Sequence, residues 1–259
     1  MASLVHLRAE DGSIIRLEYH ETCPSVAELA RRYAIAGYPD RYVVVSERQT
    51  KVDACGRPLK ADKEEVGVYI SLILRPSMFP SQAGFFSAMS TVALITALDE
   101  HTTKRLGIGW VSDIFCEGER IGGVTVEGRL DNFSSYEYII VSFSVRLTEG
   151  QFPPRISDLI KKVFGSENAS VSMIIAKDIL SKFFVLYPRL KDTEKFMDVY
   201  KDRFILAGKR VSFLEYGKRR RCKILNVDNS DCSLIVEAKG GLVKRIYSPK
   251  NVFIPKIIR

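Results

Sequence analysis

The chain has 259 residues, of which 46% are hydrophobic and 27% are charged, and its formal net charge is +8 at pH 7. These values describe a globular protein long enough for one large domain and one small domain, and they exclude a disordered chain. No apolar run approaches the roughly 18–20 residues that span a bilayer, and the N-terminus lacks the apolar core of a signal peptide. We therefore expect a cytoplasmic protein with no membrane partner.

The N-terminal residues predict a hairpin followed by a helix and a strand. Residues 4–19 alternate between apolar and polar side chains, as in a β-hairpin. A helix should run to about Ala36, with Thr22 or Ser25 as its N-cap. The continuous apolar run Tyr42–Ser46 is typical of a strand buried on both faces.

A long polar segment, residues 47–66, follows without any periodicity. Segments of this length inside a compact domain are usually functional or disordered. Glycines allow backbone N–H groups to approach a phosphate, and cationic side chains offset its charge. Residues 67–76 then predict a buried strand, and residues 80–99 predict a helix.

The central stretch, residues 106–127, predicts a second hairpin. One strand should extend to about Phe115, a turn should occupy residues 117–119, and a return strand should run from Ile121 to Val126. Paired glycines, Gly122 and Gly123, indicate that another backbone or a ligand comes close to the return strand. The lone tryptophan, Trp110, is either a packed core residue or part of a ligand wall.

The last third of the chain changes character. After a strand at 136–147, helices are predicted to begin at Ser157 and to span 170–187 and 192–201. Short strands then follow at 209–214, 222–228, 232–238 and 243–248, which predict a small β-barrel. The basic cluster Lys218–Arg221 is predicted to lie in a hairpin turn beside Gly217, either solvated or in contact with an acidic partner. Five cysteines without a disulfide or metal-ligand spacing indicate reduced thiols and no metal site.

Three motifs resemble those of the biotin protein ligases. Gly109-Trp110-Val111-Ser112-Asp113, followed by a strand from Arg120 to Glu127, is similar to the family's Lys-Trp-Pro-Asn-Asp and Lys-Leu-Ala-Gly-Ile-Leu-x-Glu. Residues 67–76 resemble its Gly-x-Leu-Tyr-x-Ser-Leu-x-Leu-Arg-Pro strand. Residues 206–211 match its Leu-x-Gly-Lys-x-Val boundary.

The resemblance covers nearly the whole chain and implies an α+β fold. Residues 1–203 would form a class II synthetase-like mixed or antiparallel sheet flanked by helices, and residues 204–259 an SH3-like β-barrel. The family's N-terminal DNA-binding helix-turn-helix has no counterpart in this sequence, so no DNA partner is expected. Pairing through sheet edges, as in many relatives, would give a homodimer.

The resemblance also implies a function. Biotin protein ligases form biotinyl-AMP from biotin and ATP-Mg and transfer the biotin to a lysine of a biotin carboxyl carrier-type protein. Several positions depart from the family pattern, because the motif lysine is Gly109, the phosphate loop is degenerate, and a Gly-x-Gly-x-Asn strand reads Ser142-Phe143-Ser144-Val145-Arg146. No catalytic residue is therefore assigned. The resemblance assigns ligand contacts to these residues: Thr22, Gln49, Lys51, Gly56, Arg57, Trp110, Asp113, Arg120, Gly122, Gly123, Ser142 and Ser144.

Three functional hypotheses remain open from the sequence. The chain is a divergent but active ligase, or an inactive relative that binds biotin, an acyl-adenylate or a carrier protein as a sensor or scaffold. In an active ligase Lys51, Lys104 or Arg120 would replace the missing cation, and Arg120 is the best candidate because it stands where the family has a second lysine. The third hypothesis is an RNA- or DNA-associated module. It is disfavoured because the basic residues show no interleaved aromatics on one recognisable surface.

Overall fold

The computed structural model describes residues 3–9, 12–51, 67–78, 80, 83–147, 171–215, 217–248 and 252–253. Two predicted ligand contacts, Gly56 and Arg57, lie outside the described residues, as does the helix predicted to begin at Ser157.

The larger of two sheets has eight strands in the order β1-β2-β3-β4-β8-β7-β6-β5. All neighbours are antiparallel except β2 and β3, which are parallel and are therefore joined by a crossover helix. This arrangement confirms the predicted α+β fold with a mixed sheet. The strands are β1 (Ser3–Arg8), β2 (Ile14–Cys23), β3 (Tyr42–Gln49), β4 (Gly67–Leu74), β5 (Leu106–Gly109), β6 (Asp113–Cys116), β7 (Glu119–Leu130) and β8 (Tyr136–Arg146).

Helices cover both faces of this sheet. The crossover helix α1 (Val26–Ile35) packs on one face through Val26, Ala30 and Ala34. On the opposite face lie α2 (Ala83–Asp99), α3 (Val171–Leu186) and α4 (Glu194–Asp202), which share the main hydrophobic cluster with the sheet. Because both faces are covered, every residue of β4 is buried.

The N-terminus of α1 is capped by two side chains. Ser25 Oγ accepts a hydrogen bond from the backbone N–H of Glu28 (3.2 Å), so Ser25 rather than Thr22 is the N-cap. Gln49 Oε1 accepts a second bond from the Val26 N–H (2.7 Å). These bonds satisfy two of the donors that a helix start leaves without intrahelical partners.

The central stretch differs from its prediction. A single strand to Phe115 was expected, but the chain turns at Trp110–Ser112 and folds β5 back onto β6. Two hydrogen bonds hold this turn: Tyr200 Oη donates to the Val111 carbonyl (2.7 Å) and Ser112 Oγ donates to the Val124 carbonyl (2.6 Å). The turn could not be seen in the sequence, because Trp110 continues the apolar run of β5. Trp110 is buried in the turn itself, where it packs against the second sheet.

The second sheet is antiparallel, in the order β12-β11-β10-β9-β13. A small barrel was predicted, but the described residues form an open sheet whose edge strands, β12 and β13, do not pair with each other. The basic cluster Lys218–Arg221 lies in β10 and not in the turn before it. The strands are β9 (Arg210–Glu215), β10 (Lys218–Val227), β11 (Leu234–Ala238), β12 (Val243–Ile246) and β13 (Val252–Phe253).

The two sheets share one hydrophobic cluster and are joined through β5 and Trp110. The Ile108 N–H donates to the Arg203 carbonyl (2.7 Å), and the Ile205 N–H donates to the Ile108 carbonyl (3.0 Å). The residues just before and after position 204 thus still pair with β5, and the division of the chain there stays a prediction. Within the described ranges, no helix combines the length and the apolar character that crossing a membrane requires.

Candidate functional site

A polar row crosses the sheet on its α1 face. Residues that pair directly on neighbouring strands project from the same face. In strand order from β2 to β5, the residues of this polar row are His20, Ser46, Tyr69, Ser144, Gly123, Asp113 and Gly109. Ser71 and Ser142, which pair with each other two residues along β4 and β8, extend the row on the same face, and their hydroxyl oxygens are 2.8 Å apart.

Arg120 and Asp113 form an ion pair at one end of this row. Arg120 Nε lies 2.6 Å from Asp113 Oδ1, and the two side chains are only 16% and 14% exposed. A Cβ atom added at Gly123 would lie 3.4 Å from Arg120 Nη2, so the guanidinium extends over Gly123. That Nη2 atom is buried and makes no hydrogen bond within the described part of the chain. One N–H-bearing nitrogen is therefore left for another acceptor.

The two glycines of β7 are required by neighbouring backbone. A Cβ atom at Gly122 would lie 2.1 Å from the Ser144 carbonyl oxygen, and one at Gly123 would lie 2.6 Å from the Ser112 carbonyl oxygen. Neither position can carry a side chain without moving a main chain. The close approach predicted from the sequence is thus an approach of backbone, and only Gly123 also borders the Arg120 side chain.

Trp110 lies between the two sheets. Its side chain is 4% exposed, and its Nε1–H donates to the Cys232 carbonyl (3.0 Å), which precedes β11. The indole N–H is therefore used within the protein, as is usual for a buried tryptophan. Its predicted contact with a ligand stays a prediction.

Three further predicted contacts lie at the start of α1. Gln49 uses its side-chain carbonyl to cap the helix, and Lys51 lies 3.8 Å from Glu28 while 70% exposed. Thr22 is exposed and lines a cavity of about 320 Å³ together with Cys23 and Arg32. The structure thus brings Asp113, Arg120, Gly123, Ser142 and Ser144 together along the polar row, and places these three residues at the helix start.

A carboxylate network that the sequence analysis missed lies beside that cavity. Glu18 accepts hydrogen bonds from Tyr33 Oη (3.1 Å) and Tyr42 Oη (2.6 Å), and His20 Nε2 lies 2.7 Å from Glu18 Oε1. Burial, together with the bond to Glu18, raises the pKa of Tyr33 to about 12. The parallel register of β2 and β3 brings Glu18 and Tyr42 together on one face of the sheet. Because these residues are 24 positions apart, no local sequence pattern predicts the network.

Arg146, which stands where the family has asparagine, has a bracing contact. Its Nη2 donates to the Arg120 carbonyl (2.7 Å), so it links the end of β8 to the start of β7. This contact holds the backbone of the residue that supplies the cation of the polar row.

Comparisons with known proteins agree with this architecture. The chain matches no protein-family model. It is 25% identical over 144 residues to the bifunctional ligase/repressor BirA of Bacillus subtilis and 23% identical over 144 residues to that of Bacillus spizizenii. These matches cover 55% of this chain and 44% of each relative, so the chain spans about half the length of the curated relatives it matches.

Solved structures match almost the whole chain. A biotin protein ligase of Aquifex aeolicus in complex with biotin and ATP aligns over 90% of this chain and 95% of its own, with a TM-score of 0.64 and 19% identity. Its apo structure aligns over 93% and 98%, with a TM-score of 0.66 and 17% identity. A biotin protein ligase-like protein of unknown function from Silicibacter sp. TM1040 aligns over 90% and 94%, with a TM-score of 0.64 and 14% identity. This chain has the biotin protein ligase fold.

Gly109 occupies a motif position that carries a lysine in the biotin protein ligases that the sequence resembles, so its surroundings show where that side chain would extend. A Cβ atom at Gly109 would lie 3.4 Å from Asp113 Cβ and 2.7 Å from Cε2 of Phe115. A side chain there would point into the space that Asp113 and the Phe115 ring border. Since Arg120 contacts Asp113, its guanidinium lies near the space that a residue-109 side chain would enter.

Proposed function

We propose that the chain acts as a biotin protein ligase-like enzyme, which forms biotinyl-AMP from biotin and ATP-Mg and transfers the biotin to a lysine of a biotin carboxyl carrier-type protein. The observation that carries the proposal is the position of the Arg120 guanidinium over Gly123, on the α1 face of a sheet with the biotin protein ligase fold.

The proposed ligand lies along the polar row. Ser142 and Ser144 are small, half-buried residues that carry hydroxyl groups on this face. Arg120 Nη2 then meets the carboxylate of biotin or the α-phosphate of ATP. A guanidinium is suited to this role because it donates several hydrogen bonds in a fixed plane and stays charged.

The chemistry requires positive charge at the reacting groups. In the first step a biotin carboxylate oxygen bonds to the α-phosphorus and pyrophosphate leaves. In the second step the carrier lysine amine attacks the acyl carbon, loses a proton and releases AMP. Loss of one preorganised electrostatic group typically costs about 10²–10³-fold in rate. Here glycine replaces the lysine at position 109, and Asp113 partly neutralises Arg120. We therefore expect turnover about 10²–10³-fold slower than in a ligase that has the motif lysine.

A second candidate function rests on the same ion pair. Asp113 already occupies Arg120 Nε, and a neutralised cation supports binding of an acyl group better than it supports phosphoryl chemistry. In this alternative the chain is an inactive relative that binds biotin, an acyl-adenylate or a carrier protein as a sensor or scaffold.

Calorimetry with biotin, ATP-Mg and biotinyl-adenylate, followed by a pyrophosphate-release assay, tests both functions. We expect the adenylate to bind, and Arg120→Met to weaken its binding at least 10-fold. Arg129→Met is the matched control, since Arg129 lies on the same strand but pairs with Glu137 at the surface. Arg120→Lys keeps the charge beside Asp113 and covers the case in which the methionine variant does not fold, as judged by circular dichroism.

Each outcome decides between the candidates. Binding with pyrophosphate release supports the enzyme, and binding without release supports the sensor or scaffold. If none of the three ligands binds the wild-type protein, the enzyme and the sensor of biotin or an adenylate are both wrong. A scaffold that binds the carrier protein alone is then tested by titrating that protein, and absence of binding there excludes it too.

A further inference from the structure

The second sheet carries a basic face that the proposed function does not use. Arg219, Arg221 and Lys223 alternate along β10 and therefore project from one face. On β9, Arg210 pairs directly with Lys223 and Ser212 pairs with Arg221. The opposite face holds the buried residues of the same strands, Val211, Phe213 and Cys222. Cationic side chains thus gather on the solvent side of this sheet.

This face forms a groove with a volume of about 930 Å³. Its charged lining consists of five cations and one carboxylate, a net charge of +4: Arg210, Arg219, Arg221, Lys223, Lys239 and Glu237. Among the described residues, Arg210, Arg221, Lys223 and Lys239 form no ion pair with a carboxylate. Half of the formal charge of the whole chain, +8, is therefore concentrated on one face of a small sheet.

We infer that this basic face binds the phosphate backbone of double-stranded nucleic acid without sequence preference. Along β10 the cationic residues recur about every 7 Å, since a strand advances about 3.4 Å per residue. A duplex presents about one negative charge per 1.7 Å of its axis, so a regular row of cations meets phosphates wherever the duplex lies along it.

The lining disfavours a protein partner. Stable protein interfaces need an apolar centre with aromatic or other large anchors. The apolar residues that line this groove are Val211, Cys222 and Ala238, and the first two are buried in the core beneath it. Phosphate binding has no such requirement, because release of condensed counterions supplies the affinity.

The lining also disfavours a single strand. Single-stranded nucleic acid is held by bases stacked on aromatic side chains, and the described lining of the groove contains no aromatic residue. From the sequence, no DNA partner was expected because the helix-turn-helix has no counterpart, and a nucleic-acid role was disfavoured because the basic residues show no interleaved aromatics on one recognisable surface. The register of β9, β10 and β11 supplies a common basic surface, and the inference reverses the expectation.

Fluorescence anisotropy of a labelled 20-base-pair duplex of mixed sequence tests the inference, with DNA and RNA versions titrated at 50 and 200 mM salt. For about five neutralised phosphates, affinity should fall about 10²–10³-fold between the two salt concentrations. The triple variant Arg219→Glu, Arg221→Glu, Lys223→Glu should weaken binding at least 10-fold at 50 mM salt. The same variant should lower the slope of log affinity against log salt by about three.

A matched control separates the face from the net charge. The variant Lys177→Glu, Lys191→Glu, Lys195→Glu makes the same change in net charge at exposed positions of α3, the segment after it and α4. We expect it to retain nearly all of the duplex affinity and the salt slope. Circular dichroism should show both triple variants folded.

Four results would overturn the inference. The first three are no duplex binding at 50 mM salt, equal losses in the two triple variants, and tighter binding of a single strand of the same length. A fourth is loss of binding to an acidic biotin carboxyl carrier protein, but not to duplex, in the β10 variant, which would assign the face to a protein partner. Pyrophosphate release should be unchanged in the β10 variant, so failure of this inference and failure of the proposed function remain distinguishable.

Discussion

At the scale of single residues, the main difference from the family's motif is that the cationic side chain of the site comes from position 120 and not from position 109. Gly109 offers no side chain where the biotin protein ligases that the sequence resembles have a lysine, and Arg120 reaches the same part of the sheet from β7. The ion pair with Asp113 has two consequences. It offsets the desolvation cost of a guanidinium whose side chain is mostly buried, and it reduces the positive field available to a ligand.

Restoring the lysine requires a second change. In Gly109→Lys the Cβ atom would meet the Phe115 ring at 2.7 Å, so we expect this variant alone to give no gain. The double variant Gly109→Lys, Phe115→Ala opens that space and should raise the rate of pyrophosphate release by about 10-fold or more, toward the 10²–10³-fold that one such group contributes.

The control for this prediction is Gly109→Met, Phe115→Ala, which places an uncharged chain of similar length in the same space. It should show no increase. If ligand binding and turnover of the lysine double variant both stay at background, the assignment of this face as the ligand site is wrong.

Part of this site could be predicted from the sequence. Arg120 was identified there as a replacement cation because it occupies a motif position, and the structure places it on the polar row. The obstruction by Phe115 could not be predicted, since it depends on the turn between β5 and β6. The cap at Ser25 was one of two predicted from the sequence, whereas the cap at Gln49 shows the same limit, because the amide of Gln49 reaches Val26 only through the crossover of α1.

At the scale of secondary-structure elements, register decides what each residue does. In β7, Gly122 faces the backbone of β8, whereas Gly123 faces the turn before β6 and the Arg120 side chain. Antiparallel pairing brings these strands so close that a side chain at Gly122 has no space. Glycine is required at position 122 by the close approach of the β8 backbone, whether or not a ligand binds.

Gly122→Ala should therefore destabilise the fold by at least about 2–3 kcal/mol, because its Cβ atom would lie 2.1 Å from the Ser144 carbonyl oxygen. The urea midpoint followed by circular dichroism measures this effect. Gly118→Ala in the preceding turn is the comparison: its surroundings are open, and only its positive φ of 84° is strained, which costs about 1 kcal/mol. Equal midpoints for the two variants would contradict the prediction.

Most elements could be predicted from periodicity, because their apolar patterns are long and local. The errors share one cause, which is contact between distant parts of the chain. Trp110 continues an apolar run yet ends β5, because it packs against the second sheet. The basic residues at 218–221 look like a solvated turn, yet pairing with β9 draws them into a strand.

At the scale of the whole molecule, the two sheets behave as parts of one hydrophobic core. The main cluster includes β-strand residues of both sheets, and the Trp110 indole donates to the Cys232 carbonyl between them. The four cysteines in the described residues, Cys23, Cys116, Cys222 and Cys232, are buried free thiols. Burial raises the pKa of Cys232 to about 12, so this thiol stays protonated at neutral pH.

Trp110→Phe should lower the free energy of unfolding by about 1–3 kcal/mol, because it leaves the Cys232 carbonyl without its donor and removes buried ring area. Denaturation in urea, followed by circular dichroism, measures the loss. Phe133→Leu is the control, since Phe133 is 86% exposed and its replacement should leave the midpoint unchanged. A Trp110 variant as stable as the wild type would show that the contact between the sheets contributes little.

Because Trp110 is the sole tryptophan, the chain carries its single indole fluorophore at the junction of its two sheets, where excitation at the long-wavelength edge of the spectrum separates it from the tyrosines. Its emission reports the polarity of that junction alone, and no second indole contributes to the signal. Separation of the second sheet from the first would expose the ring and shift the emission to longer wavelength while the eight-stranded sheet stayed folded. The protein can thus be followed, without any label, at a place where its two sheets meet.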